Sequence, residues 1–238
     1  NITNVEAQAQ LEEEYGYQTE NIYVQYTTLL TEISINANYK LRSIDFKDNN
    51  LNLSNIKLKG NNTKISNIII RNSKKNTNIL IEGFIEADIV QIFTYGYISD
   101  STIPTSNSTN IVCNDLVKIN QQLTFIASNE NNNSIAFNDL KIVEANNPTY
   151  YWSYWRGKFN NISFPKLEEM SNLKTSSSDT YTNIPNYILG LSVSNLNLPL
   201  LKKINSFYIT GKTGIDQLTC PELVSLKDFY VHTYNFLN

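Results

Sequence analysis

Apolar positions in the second half of this chain recur in one phrase: an apolar residue, Pro or Asn, a free position, Leu, two further positions and another apolar residue. The five copies run Cys113-Asn114-x-Leu116-x-x-Ile119, Phe137-Asn138-x-Leu140-x-x-Val143, Phe164-Pro165-x-Leu167-x-x-Met170, Leu198-Pro199-x-Leu201-x-x-Ile204 and Cys220-Pro221-x-Leu223-x-x-Leu226. Each has another aliphatic residue two places earlier: Ile111, Ile135, Ile162, Leu196 and Leu218. The tails Ile204-x-x-Phe207-x-Ile209 and Leu226-x-x-Phe229-x-Val231 alternate at the period of a strand, and the first copy carries a slipped version in Ile119, Leu123 and Phe125. The Leu-x-x-apolar segment suits a bend or tight turn beneath the strand, so each repeat is expected to be one strand plus one return segment. Units of this size predict a solenoid, in which each turn buries its apolar face only against its neighbours. The spacings of 24, 27, 34 and 22 residues mark where loops open the repeat.

The first half has a shorter cadence. Leu41-x-x-Ile44-x-Phe46, Leu53-x-x-Ile56-x-Leu58 and Ile65-x-x-Ile68-x-Ile70 follow one another at twelve residues. Such spacing fits an antiparallel meander or a compact solenoid with strands on two sides, and the solenoid, or a sheet continuous with it, is preferred because two steps match the 24-residue spacing downstream. Residues 36–98 are therefore expected to be β-rich repeats, 99–110 a polar linker or loop, and 111–238 the main repeat domain. Residues 1–35 differ. They are Glu- and Gln-rich from Glu6 to Glu14, then place Ile22, Tyr26, Leu29, Leu30 and Ile33 on one helical stripe behind a potential N-cap at Thr19. A helix there is expected to cap the open end of the solenoid or to tether the protein to an assembly partner.

The runs Phe164-Pro-Lys-Leu-Glu-Glu-Met, Leu198-Pro-Leu-Leu-Lys-Lys-Ile-Asn-Ser-Phe-Tyr-Ile and Cys220-Pro-Glu-Leu-Val-Ser-Leu-Lys-Asp-Phe-Tyr-Val resemble leucine-rich repeats of the receptor L-domain type. The resemblance covers residues 111–238 and implies a mainly β, leucine-rich-repeat-like β-solenoid. That family includes receptors, adhesins and cell-wall proteins, so the likeness bears on fold more than function. The capping disulfides common there have no counterpart here. Cys113 and Cys220 occupy equivalent places in the first and last copies, which puts them about 19 Å apart for four strand spacings, beyond the roughly 7 Å limit for a disulfide. Two buried free thiols are expected.

Composition narrows the function. A net charge of -3 and a pI near 5.3 argue against a nucleic-acid partner, which requires a basic face. No apolar run is long enough to cross a bilayer as a helix, so membrane insertion is not expected. Asn dominates the chain, suiting tight turns and ladders between stacked strands. Six glycosylation sequons are close to what so Asn-rich a sequence supplies by chance. A single His, His232, and the lack of a Gly-rich phosphate loop leave little for catalysis or for a cofactor. Neither is expected. Carboxylates brought together from successive turns would still permit glycoside chemistry, with Asp45, Asp48, Asp139 and Glu144 as the first candidates.

Aromatic residues carry the main functional signal. Both Trp of the chain lie in Tyr150-Tyr151-Trp152-Ser153-Tyr154-Trp155-Arg156-Gly157-Lys158-Phe159, between the second and third copies. Large aromatics with a polar edge make binding hot spots, sugar platforms and cation sites. The plainer alternative is a strand whose alternate rings, such as Tyr151 and Trp155, pack into the core. A second insertion brings Tyr181 and Tyr187. The expected ligand-binding set is Tyr150, Trp152, Tyr154, Trp155, Arg156, Tyr181 and Tyr187, with no metal. These features predict a non-enzymatic recognition module, extracellular or surface-exposed on a cell or virion, that binds a glycan or a surface protein. Alternatives are a structural or receptor-binding part of a bacteriophage tail or head and a carbohydrate-active enzyme.

Overall fold

The structure is a computed structural model that describes residues 4–9, 21–24, 31–37, 41–46, 53–71, 76–94, 108–127, 133–144, 153–175, 191–211 and 214–233. Among these residues the chain forms strands and no helix. In order they are β1 (Asn4–Ala9), β2 (Asn21–Val24), β3 (Glu32–Ala37), β4 (Ser43–Phe46), β5 (Asn55–Arg71), β6 (Asn76–Thr94), β7 (Ser108–Cys113) and β8 (Lys118–Ala127). There follow β9 (Asn133–Phe137), β10 (Ile142–Val143), β11 (Ser153–Ser163), β12 (Glu169–Lys174), β13 (Leu191–Asn197), β14 (Lys203–Gly211), β15 (Gly214–Thr219) and β16 (Ser225–Thr233).

Every pairing among the described residues is parallel, and like pairs with like. Ile33 lies beside Ile56, Ile56 beside Ile79, Ile79 beside Ile111 and Ile111 beside Ile135. A second row joins Ile44, Ile68, Val90 and Leu123. All of these side chains are buried. β-Branched residues at period two suit a pleated strand, and stacking identical side chains at strand spacing gives each apolar face a partner above and below. The two rows enclose one continuous core.

Three long strands shape the sheet. β6 pairs with β7 through its first part and with β8 through its last, while β11 pairs with β8 and β12 at its start and with β9 and β13 beyond Gly157. The pairings therefore close a seven-strand ring, β6–β7–β9–β11–β12–β10–β8 and back to β6, with the remaining strands outside it. Glycine permits the bends. A Cβ on Gly60 would meet the Gly83 carbonyl oxygen at 2.5 Å, and Gly83 itself adopts φ +73°. Gly157, at φ +106°, comes equally close to the Ala127 carbonyl. These backbone conformations disfavour any residue with a Cβ.

This architecture corrects the expected one. The leucine-rich-repeat-like β-solenoid with an N-terminal helix is replaced by a parallel sheet closed into a barrel with outer strands. Each phrase separates two strands instead of joining one strand to a return bend: β13 precedes and β14 follows Leu198–Leu201, and β15 and β16 flank Cys220–Leu223 in the same way. The long strands then bend from one row to the other and close the sheet. In the helical stripe, Ile22 belongs to β2 and Ile33 to β3. Burial of Ile33 and Ile35 around a half-exposed Ser34 has the two-residue period of a strand. Thr19, Tyr26, Leu29 and Leu30 lie outside the described residues. Among the described residues between 41 and 94 no antiparallel meander forms, and their strands join the same parallel sheet. Of the polar stretch 99–110, residues 108–110 open β7 and the rest lie outside the described residues. Both cysteines are free, but only Cys113 is buried; Cys220 is half-buried. The difference is positional, because among the described residues β15 and β16 each have a single neighbour.

Candidate functional site

The aromatic segment divides at β11. Trp155 is fully buried, its ring packed against both Phe125 and Phe164 at centroid distances of 4.9 and 4.8 Å, and those two rings lie 6.4 Å from each other. Phe137 extends the stack, 5.3 Å from Phe164. Trp155 is thus the centre of the core and offers no face to a ligand. Arg156 points to the other side of the strand yet is also buried, its guanidinium carbon 5.8 Å from the Tyr154 ring centroid. Tyr154 is half-buried. Tyr150, Trp152, Tyr181 and Tyr187 lie outside the described residues, so the patch expected from both insertions is represented here by Tyr154 alone.

A different surface is assembled by register. Asn4 pairs with Glu32, Glu32 with Asn55, Asn55 with Asn78, Asn78 with Asn110 and Asn110 with Ser134. Side chains are joined at three steps of this row. Asn55 Nδ2 donates to Glu32 Oε1 at 2.7 Å, Asn78 Nδ2 to Asn55 Oδ1 at 3.2 Å and Ser134 Oγ to Asn110 Oδ1 at 2.7 Å. Beside it runs an outward row of Lys57, Leu80 and Val112. Between the rows lies an open groove of about 250 Å³, lined by Asn55, Lys57, Asn78, Leu80, Asn110 and Val112 together with the edges of Ile56 and Ile79. An amide has two donors and an acceptor with two lone pairs, so each ladder residue keeps capacity for a ligand after bonding its neighbour. The groove joins an apolar strip to a polar rail and one cation.

The ladder has a sequence signal of its own, separate from the aromatic segment. Each member stands one place before an inward aliphatic residue, as in Asn55-Ile56, Asn78-Ile79, Asn110-Ile111 and Ser134-Ile135. In an Asn-rich chain that coincidence is easily lost.

Of the carboxylates named as candidates, Asp139 and Glu144 are engaged in structural contacts. Asp115 accepts the Gly83 N–H at 2.9 Å, Asp139 accepts the Asp115 N–H at 3.0 Å, and Lys166 Nζ reaches Asp139 at 2.6 Å. These residues are the free position of three phrases, so the phrase also builds a polar stack at the corner between strands. The Lys166 ammonium and the Asp115 N–H hold the Asp139 carboxyl below its usual range. Glu144 pairs with Lys118 at 2.8 Å, and Asp45 is half-buried in β4. Asp48 lies outside the described residues. Among the described residues, no group of three or more His, Cys, Asp and Glu is placed to hold a metal ion, and no helix is long and apolar enough to cross a membrane.

In comparisons with known proteins, the chain matches no family model, no curated protein and no solved structure.

Proposed function

We propose that the protein is a non-enzymatic recognition module, acting at a cell or particle surface, that holds a glycan against the outer face of its parallel sheet. The observation that supports this reading is the groove in which the Asn55–Asn78–Asn110 rail runs beside Leu80 and Val112. Sugars present hydroxyls on their edges and C–H groups on their faces, so a ligand lying along the groove meets amides and aliphatic carbon in the same order. Lys57 at one end favours a sugar bearing a carboxylate or sulfate. Parallel strands repeat the rail at about 4.8 Å, which suits an extended chain better than a single ring. The aromatic residues contribute differently from the sequence expectation: Trp155 supports the sheet from within, and Tyr154 is the half-buried member of the segment.

A glycan array probed with the whole chain tests this reading. Binding to an extended, acidic glycan is expected, and Asn78→Ala and Asn110→Ala should each weaken it by about threefold to tenfold, the effect of one hydrogen bond. Lys57→Gln should lower the salt dependence of binding. Capture of no glycan, or binding that is indifferent to all three substitutions, would overturn the assignment. Release of a shortened glycan on incubation would make the protein an enzyme instead.

A further inference from the structure

Among the described residues, β1 and β2 at one end of the sheet and β15 and β16 at the other each pair along a single edge. The two ends match each other in direction, register and side-chain type. At the far end β16 exposes Leu226 (41%), Phe229 (53%), Tyr230 (46%) and Val231 (50%), and an apolar hollow opens between Phe207, Leu218, Cys220, Leu223 and Phe229. At the near end, exposed Tyr23 stands between Ile22 and Val24 as Tyr230 stands between Phe229 and Val231. The row of paired positions whose first member is Asn4 finishes with Asn195 beside Gln217.

We propose that these ends associate head to tail: β15 and β16 of one copy receive β1 and β2 of a second copy as the next parallel strands. The contact repeats an interface found throughout the chain, in which β14 lies on β16 with Phe207 against Phe229 and Tyr208 against Tyr230 at ring-centroid distances of 5.9 and 5.5 Å. In the second copy, Ile22 and Val24 would cover Phe229 and Val231, Tyr23 would continue the tyrosine stack, and Asn4 would follow Gln217 in the row of paired positions. Strand edges with no neighbour among the described residues are templates for pairing with another chain. A contact between unlike surfaces is heterologous, so it leaves a free end on each copy and builds rings or filaments. This inference is independent of the glycan reading.

Proteins of the whole chain with one introduced surface cysteine each, all carrying Cys220→Ser and keeping the buried Cys113, test it. Parallel neighbours about 4.8 Å apart lie within disulfide range, so Tyr23→Cys and Tyr230→Cys proteins, mixed and oxidised, should give a linked dimer that neither gives alone. Tyr23→Cys mixed with Asp216→Cys is the register control and should give none, because β15 would face β1. Sedimentation of the unmodified chain should shift to larger species with concentration, and Leu226→Glu with Phe229→Glu should abolish the shift while circular dichroism remains that of the parent. A monomer at every concentration, a dimer linked through two copies of Tyr230→Cys, or equal linking in the register control would each overturn the proposal.

Discussion

Phe207 and Phe229 occupy the same place in successive copies of one phrase and pair across β14 and β16, yet Phe207 is 3% exposed and Phe229 53%. Ile204 and Leu226 differ in the same way, as do Ile209 and Val231. Residue type does not account for the contrast, since each pair is equally apolar. What differs is the number of neighbours. β14 is covered on both sides by β12 and β16, whereas among the described residues β16 has only β14. A residue in this fold is buried by the strand that follows it, and the repeated phrase supplies a register into which that strand can pair.

The contrast between interior and edge should be widest in thiol chemistry. Cys113 and Cys220 are equivalent in sequence, and burial pushes both thiols up from their ordinary range. Cys113 can be reached only through an opening of the core, which costs about 5 kcal/mol or more in a stable domain, so Cys220 should be alkylated about a thousandfold faster. Mass-resolved labelling at neutral pH measures both rates, and comparable rates would mean that the interior is open.

Truncation comes next. Trp155→Ala should cost about 3–5 kcal/mol in denaturant unfolding because it leaves a large cavity beside Phe125 and Phe164, while Tyr230→Ala at the edge should fall within about 1 kcal/mol. A mild effect of Trp155→Ala would return that ring to the surface. Backbone strain gives a smaller version of the same comparison. Gly83→Ala, with positive φ and a Cβ directed at the Gly60 carbonyl, should cost about 1–3 kcal/mol. Gly214→Ala in β15 meets only the movable Ser192 hydroxyl at 2.7 Å and should change stability by about 0.5 kcal/mol or less.

The smallest expected effect is electrostatic. Lys166 and the Asp115 N–H lower the folded-state pKa of Asp139, so its contribution is present above the unfolded carboxylate value near 4 and fades as pH falls through the folded value. The pair is partly exposed, which limits that contribution to less than about 1 kcal/mol. Unfolding of the parent and Asp139→Asn should differ most at neutral pH and converge in acid. A gap that widens in acid would contradict the stated direction.

These contrasts also explain what could be foreseen from the amino acids. The apolar positions of the phrase are the register itself: Ile111 meets Ile135, Cys113 meets Phe137 and Ile204 meets Leu226. Such positions are legible because one stripe of side chains serves both the pattern and the pairing. Closure of the sheet was not legible. It depends on β6 and β11 bending near Gly83 and Gly157, and a glycine signals that freedom without saying how the chain uses it. The N-terminal stripe misled because apolar residues three or four apart on a helix can equally fall in two short strands, as its two ends, Ile22 and Ile33, do. For the aromatic segment, alternation favoured an inward Trp155. Burial of Arg156 beside it has no local sign, since it depends on tertiary context around β11. The amide rail was visible only after the strands had been stacked.

The most direct test of the central claim is the pair Phe207→Ala and Phe229→Ala, unfolded in denaturant at concentrations where the protein is monomeric. If the next strand supplies burial, the first should cost about 3–5 kcal/mol and the second about 1 kcal/mol or less. Equal losses at the two positions would contradict that claim.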